Sequence, residues 1–414
     1  MKRRIFLITL LLVLSGGAVH GGENPEGKSP AEELPYKNLS VFMESLMLLR
    51  AKYVDQEKIS YENLLRAALR GMMQELDPFS AYEEPEAFKN TVEDSMGKFP
   101  GIGIVITSRE DALEIVSVME DGPAAKSGLR SGDMILEING KNTRMMFLDE
   151  CVKMMKGPVG TKVKLKIYRR SDDSTKDVEI ERAVIAVSSV KAIGCAANRI
   201  GYLRITQFTA TTASDLDKAL ITLKQDKLDG LIIDLRNNPG GLLTAAIETV
   251  SRFIEKGKLV VSIEGRAEKT VTHNAVGCSK DLDLPLVVLI NENSASAAEI
   301  FSACMQDYKR AILVGARSFG KGSVQVIIPL SDGGALRMTT AKYYTPGRKE
   351  IHGRGVDPDI AVNTSPAGTA SISRHLSMRG DKVPLVQDGK YRDVQLERAI
   401  EILKGVAIFR QAEK

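Results

Sequence analysis

Between residues 36 and 95, apolar side chains recur at three- and four-residue steps, at Leu46, Leu49, Leu64, Leu65, Ala68, Leu69, Met72 and Met73. That period predicts amphipathic helices, and Asp77-Pro78 stops the run. From residue 97 the pattern changes to strands and turns. Gly101 to Ile106 reads as a strand entered through glycines, and Leu113 to Val118 as an alternating strand. A short helix at Ala124–Ser127 follows, then a Gly-Asp turn and a strand ending in Asn139-Gly140. Phe147 to Met155 predicts a helix and Thr161 to Arg169 a closing strand. From about residue 183 the pattern is α/β. Gly201–Ile205 predicts a strand and Ala213–Leu223 a helix. Gly230 to Leu235 is almost continuously apolar, as in a strand covered on both faces. "RNNPGG" then turns into a helix at Leu242–Phe253. Leu284–Ile290 is another buried strand, followed by a helix at Ala297–Met305. Further strands fall at Ala311–Gly315, Ser323–Pro329 and Gly334–Thr340, and a last helix at Val394–Leu403.

A chain of 414 residues is too long for one ordinary domain. At 43% apolar and 27% charged it has the balance of a soluble protein with true cores. The net charge of +4 is small and its basic residues are dispersed, so no nucleic-acid partner is indicated. The N-terminus differs from the rest. Lys2-Arg3-Arg4 is basic, Ile5 to Leu14 is apolar, and Ser15-Gly16-Gly17-Ala18 is small. That order reads as an export signal at 1–22, cleaved or kept as an anchor that associates the chain with a membrane. Residues 23–35 are polar with prolines, a linker. The four cysteines are scattered without a CxxC pair, and no HExxH is present, so no metal or cofactor is expected.

Three segments carry candidate chemistry. In "NSASAAEIF", Ser296-Ala297-Ala298-Glu299 fits a helix capping box. A helix start after a buried strand is also where exposed amides can stabilise an oxyanion beside a nucleophile. A serine nucleophile needs a base, and Lys321 in "SFGKGSVQ" is a candidate. A free lysine is neutral in only about one molecule in 2,500 at pH 7, so burial must lower its proton affinity. Gln325 lies four residues on. In an extended strand the two stand roughly 13 Å apart. Direct contact would require a bulge, expected at Gly322. "DLRNNPGG" is a strand-to-helix turn whose glycines permit close approach of backbone amides to a reacting carbonyl.

In this order the segments resemble the C-terminal processing peptidases, or tail-specific proteases, of peptidase family S41. These are exported serine peptidases with an inserted PDZ domain. The matching text is "GIGIVI", "DGPAAKSGLRSGDMILEING", "LIIDLRNNPGGLL", "NSASAAEIF", "QDYKRAILVG", "SFGKGSVQ" and "TTAKYYTPGR…IHGRGVDPDI", running from about Tyr36 to Leu403. The resemblance implies a multidomain α/β and α+β chain. Its parts are a helical region at 36–95, a PDZ domain at 96–182 (a small β-barrel with helices) and a crotonase-like α/β protease core at 183–365. A C-terminal region at 366–414 ends in a helix. Ser296 falls on the family's nucleophile, Lys321 on its general base and Gln325 on the residue that orients the lysine. Ala297 and Gly240 or Gly241 fall on the oxyanion amides, and Glu299 and Asp307 on supporting positions. Pro100, Gly101, Ile102, Gly103 and Ile104 match the loop and strand that hold a peptide's terminal carboxylate. The chain departs from the family's Gly-Ser-Ala-Ser-Ala-Ser-Glu at Asn293 and Ala298. The implied activity is cleavage of exported proteins at or near their non-polar C-termini, gated by the PDZ domain. An activating adaptor or lipoprotein and self-association are left open as partners. Two rivals stand beside this expectation: an inert adaptor that binds tails without cutting, and an acyl-CoA-handling enzyme of the crotonase type.

Overall fold

The computed structural model describes residues 30–414 apart from 110–111, 120–121, 145, 198, 225–227, 267–269, 278–283, 413–414 and most of 366–390. The expected export segment, most of the linker and Cys278 lie outside the described residues. A helix at Pro30–Lys52 begins inside the expected linker and takes its last residues. Cys151 and Cys304 are buried free thiols. The chain divides into two compact units between Leu69 and Arg70. In the first, Asp55 caps a single 3-10 turn at Gln56–Lys58 by accepting from Glu57 N. Ser60 Oγ then accepts from Asn63 N at 3.1 Å at the start of the helix Tyr61–Leu76, whose last residues enter the second unit.

The second unit contains three principal sheets. One has six strands in the order Ile104–Arg109, Ala112–Val118, Met134–Ile138, Lys162–Arg169 and Ser174–Glu181, with Lys141–Asn142 paired to Met134–Ile138. All these pairs are antiparallel. Lys162–Arg169 is therefore not the closing strand. The strand after it, "STKDVEIE", is too evenly polar to announce itself. Ile115, Ile135, Ile138, Leu165, Ile167 and Ile180 fill this small core, each at most 1% exposed. Burying each such side chain contributes about 1.5–3 kcal/mol. Asp133 and Arg169 add a buried fork at 2.7 and 2.8 Å.

The largest core surrounds a six-stranded sheet ordered Val190–Ala197, Ile200–Ile205, Gly230–Asp234, Leu286–Ile290, Ala311–Gly315 and Ile360–Ala361. The first pair is antiparallel and the rest are parallel. Leu231, Ile233 and Leu235 pack toward the helices Thr212–Lys224, Leu243–Val250 and Ala297–Asp307. Ile232 packs on the other face, with Leu396, Ala399 and Leu403 of the helix Val394–Ala412. Cover on both faces accounts for the unbroken apolar run. A smaller antiparallel sheet joins Leu259–Gly265, Val271–Asn274, Ser323–Pro329 and Ala335–Tyr344. Its further strand, Ala81–Glu83, pairs with Ala335–Tyr344. The 36–95 region is thus not helical throughout: past Asp77-Pro78, Ala81–Glu83 is built into this sheet before a further helix, Pro85–Met96, begins.

Candidate active site

The strand Leu286–Ile290 ends in a loop that its own polar side chains hold. Ser294 is fully buried, and its hydroxyl donates to Leu235 O at 2.8 Å and accepts from Asn291 N at 3.0 Å. Two residues later the backbone turns over. Ser296 adopts φ 55° and ψ −115° at the N-cap of the helix Ala297–Asp307. A non-glycine residue there costs on the order of 1–3 kcal/mol, which the surrounding bonds must offset. The Ser296 hydroxyl makes no capping bond. The glutamate half of the capping box does form, with Ser296 N donating to Glu299 Oε2 at 2.8 Å. The first serine of the motif is thus structural, and the hydroxyl of the second, at a helix N-terminus, makes no hydrogen bond among the described residues.

Glu299 does more than cap. Its buried carboxylate also accepts from Ser318 Oγ at 2.5 Å, Gly320 N at 2.7 Å and Lys321 N at 2.8 Å. Burial raises its proton affinity, and these four donors oppose that rise. One side chain therefore fastens the backbone of Ser296 to the backbone of Lys321.

The Lys321 side chain is half-buried, and its Nζ donates to Gln325 Oε1 at 3.0 Å. The contact requires the irregularity foreseen at Gly322, but the bulge lies between Val324 and Gln325. Gly322 is needed for another reason, since a Cβ there would collide with His352 N. Burial lowers the proton affinity of Lys321. The positive charge of Arg337 lowers it further, and Asp77 works against both. Gln325 Nε2 donates to Phe79 O at 2.6 Å, and the Phe79 ring centroid lies 5.1 Å from Lys321 Nζ. No hydrogen bond joins Lys321 to the Ser296 hydroxyl in this arrangement.

The "RNNPGG" turn packs against the Ser296 loop. Asn238 is buried, donates to Ile205 O and accepts from Gly240 N, both at 2.8 Å. Gly240 N is therefore committed to Asn238. Gly241 N and Ala297 N donate to no group among the described residues. Gly240 brings them together: at φ 100° it lies so close that a Cβ would stand 2.7 Å from Ser296 Cβ and 2.9 Å from Ala297 N. Ala295 N donates to Asn238 O at 2.9 Å and Asn293 Nδ2 to Asn237 Oδ1 at 3.0 Å, stitching turn to loop. The departure at Asn293 is thus used as a cross-link. Beneath the turn, Arg236 is fully buried, forked onto Asp234 and bonded to Asp393 Oδ1 at 2.8 Å.

Asp307 is not part of this cluster. It lies at the far end of the helix Ala297–Asp307, roughly 15 Å along its axis from Ser296. There it accepts from Thr345 Oγ1 and Gly347 N and pairs with Lys349. Its support is to that turn. Asn237, Asn238, Asn291, Ser318, Phe79 and Arg337 were missed from sequence. The asparagines stand in recognisable turn chemistry, whereas Phe79 and Arg337 carry no local signal.

A separate two-stranded sheet joins Lys98–Gly101 to Ala183–Ala186, and in it Pro100 and Gly101 pair with Val184 and Ala183, just before the six-stranded antiparallel sheet that Ile104 enters. Ile102 O accepts from Ala124 N and Gly103 O from Met119 N. The carbonyls are turned inward, and the amides of Ile102 and Gly103 donate to no group among the described residues. Ile104 opens the edge strand of the sheet.

Comparison with known proteins agrees with this architecture. The model of peptidase family S41 matches residues 199–362, and the PDZ domain model matches 91–168. The carboxy-terminal-processing protease of Bartonella bacilliformis is 39% identical over 400 residues, covering 90% of each chain. A probable CtpA-like serine protease of Staphylococcus aureus is 37% identical over 333 residues, 79% of this chain and 65% of its own length. A solved S41 protease from Bacteroides fragilis shares the fold with a TM-score of 0.50 at 17% identity, covering 87% of this chain and 97% of that one. The chain belongs to the carboxy-terminal-processing proteases of peptidase family S41. It is a serine-type peptidase with a PDZ domain and an S41 core.

Proposed function

We propose that the protein is an exported endopeptidase that cuts proteins near their C-termini with a Ser296–Lys321 site. The observation that carries this is Ser296 itself: a strained helix N-cap with an uncommitted hydroxyl, fastened through Glu299 to the segment of a half-buried lysine. In the reaction, Ser296 Oγ attacks the scissile carbonyl while neutral Lys321 takes its proton. The oxyanion is held by the amides of Ala297 and Gly241, aided by the helix dipole. Lys321 returns the proton to the leaving amine, and water then resolves the acyl-enzyme with Lys321 again as base. Gln325 orients the lysine. Because Lys321 donates to Gln325 and not to Ser296, we read this arrangement as resting, with the lysine turning onto the serine when a substrate tail engages the PDZ domain.

The tail's carboxylate is assigned to the amides of Ile102 and Gly103, and its extended backbone to the edge strand Ile104–Arg109. An activating adaptor or lipoprotein would act on the same equilibrium. The basic and apolar order of residues 1–22 supports export. Among the described residues no helix is long and apolar enough to cross a membrane.

The test is incubation of the mature protein, and of its Ser296→Ala and Lys321→Ala variants, with an unfolded protein ending in an apolar tail. Mass spectrometry should find tail-proximal cleavage by the wild type alone. Cleavage by Ser296→Ala would refute the site. Tail binding without cleavage by any of the three would favour the inert adaptor.

A further inference from the structure

The turn Asp77-Pro78-Phe79-Ser80 lies far from Lys321 and Gln325 in sequence, yet it meets that segment directly. Gln325 Nε2 donates to Phe79 O across a separation of 246 residues. A carbonyl only accepts, so it fixes which end of the Gln325 amide faces it. The nitrogen turns to Phe79, and the oxygen is left facing Lys321 Nζ at 3.0 Å. That is the orientation a base requires. Gln325 Oε1 can hold one N–H of Lys321 whether the group is ammonium or amine, leaving the lone pair of the amine free for a hydroxyl proton. With the amide reversed, its NH2 would consume that lone pair.

The turn is itself held rigidly. Asp77 Oδ1 accepts from Phe79 N at 2.7 Å and Ser80 N at 2.8 Å, and Asp77 Oδ2 accepts from Ser80 Oγ at 2.7 Å. Ser80 Oγ in turn accepts from Thr339 N at 3.2 Å, on the strand paired with that of Gln325. The Phe79 ring lies over Lys321 and edge-on to Phe319 and His352, with centroids 6.4 and 6.3 Å away.

We propose that this turn is a positioning element for the general base: Asp77 holds Phe79 so that its carbonyl orients Gln325 and its ring covers Lys321. The proposal rests on the reading of Lys321 as base. The charged and titratable groups around Lys321 come from several elements. Asp77 belongs to the turn, Arg337 to the strand Ala335–Tyr344, and Glu83 pairs with Arg337 at 3.3 Å. Glu299 holds the Lys321 amide, and His352 lies against Phe79. Of these, Asp77 is the anion that opposes the lowering of the lysine's proton affinity.

Two substitutions separate geometry from charge. Asp77→Asn keeps an oxygen for the Phe79 and Ser80 amides and loses the charge. Asp77→Ala loses both. The full mature chain would be assayed for kcat and KM across pH. In parallel, Lys321 reactivity toward a small amine-acylating reagent would be followed by mass spectrometry, which reads its protonation without reference to turnover. Asp77→Asn should keep the wild-type plateau while both the acid limb and the Lys321 labelling curve move to lower pH. Asp77→Ala should lower kcat by about tenfold or more with KM unchanged, at a temperature where thermal melting shows it folded. Wild-type kcat in folded Asp77→Ala would overturn the proposal, whereas an unshifted labelling curve in Asp77→Asn would support it with Asp77 acting through geometry alone. Lys321→Ala serves as the control. If it cleaves like the wild type, the base assignment itself fails and the proposal with it, an outcome distinct from wild-type kcat in folded Asp77→Ala, which overturns the role of the turn alone.

Discussion

The two serines of "NSASAAEIF" divide the work between them. Ser294 spends its hydroxyl on Leu235 O and the Asn291 amide, and Ser296 keeps its own free. What holds Ser296 in its unfavourable backbone region is contact on both sides: Glu299 at its amide and Gly240 against its Cβ. Gly240 has positive φ and no room for a side chain. Gly240→Ala should therefore abolish peptide cleavage by pushing the Gly241 and Ala297 amides apart. Loss of one oxyanion donor alone costs about 10²–10³ in kcat. Tail binding should persist, and kinetics beside a peptide-binding titration check both. Wild-type kcat in this variant would remove the Gly241 amide from the mechanism.

At the scale of elements, the site is a meeting of one strand-to-helix corner, one turn and one hairpin, each anchored elsewhere. The hairpin of Ser323–Pro329 and Ala335–Tyr344 supplies Gln325 from one arm and Arg337 from the other, with Lys321 in the loop that leads into the first arm. Arg337 disfavours the ammonium form, so Arg337→Gln should raise the proton affinity of Lys321. The neutral base then appears only at higher pH, and the acid limb of kcat/KM should move upward while the plateau holds. A limb that stays in place would show that Arg337 does not act on the base. Much of this level was legible in sequence. Strands such as Leu286–Ile290 are apolar throughout because both faces are covered, and Ser296, Lys321 and Gln325 occupy turn and strand positions that their neighbours announce. The bulge at Val324/Gln325 was not legible, since register depends on the partner strand. Nor was the strand Ala81–Glu83, whose few residues gain stability only from pairing with Ala335–Tyr344. Phe79 acts through its backbone carbonyl, which any residue would supply, so composition could not mark it. The place of Asp307 was not legible either, because a motif position gives no distance along a helix.

At the scale of the molecule, a small β-rich domain with open backbone amides is joined to a core holding a strained serine and a half-buried lysine. Carboxylate capture by the Ile102 and Gly103 amides predicts that amidating a peptide's C-terminus weakens binding to Ser296→Ala protein by tenfold or more, an effect of about 1.4 kcal/mol. Equal affinity for acid and amide would move tail recognition away from that loop. The central claim is that Ser296 is a nucleophile activated by Lys321. Its most direct measurement is covalent trapping: the protein is exposed to an electrophilic phosphonate, and the modified residue is located by peptide mass spectrometry. A single adduct on Ser296, forming faster as pH rises and strongly slowed in Lys321→Ala, is the predicted result. An adduct on another residue, or one that forms on Ser296 at the same rate without Lys321, would contradict it.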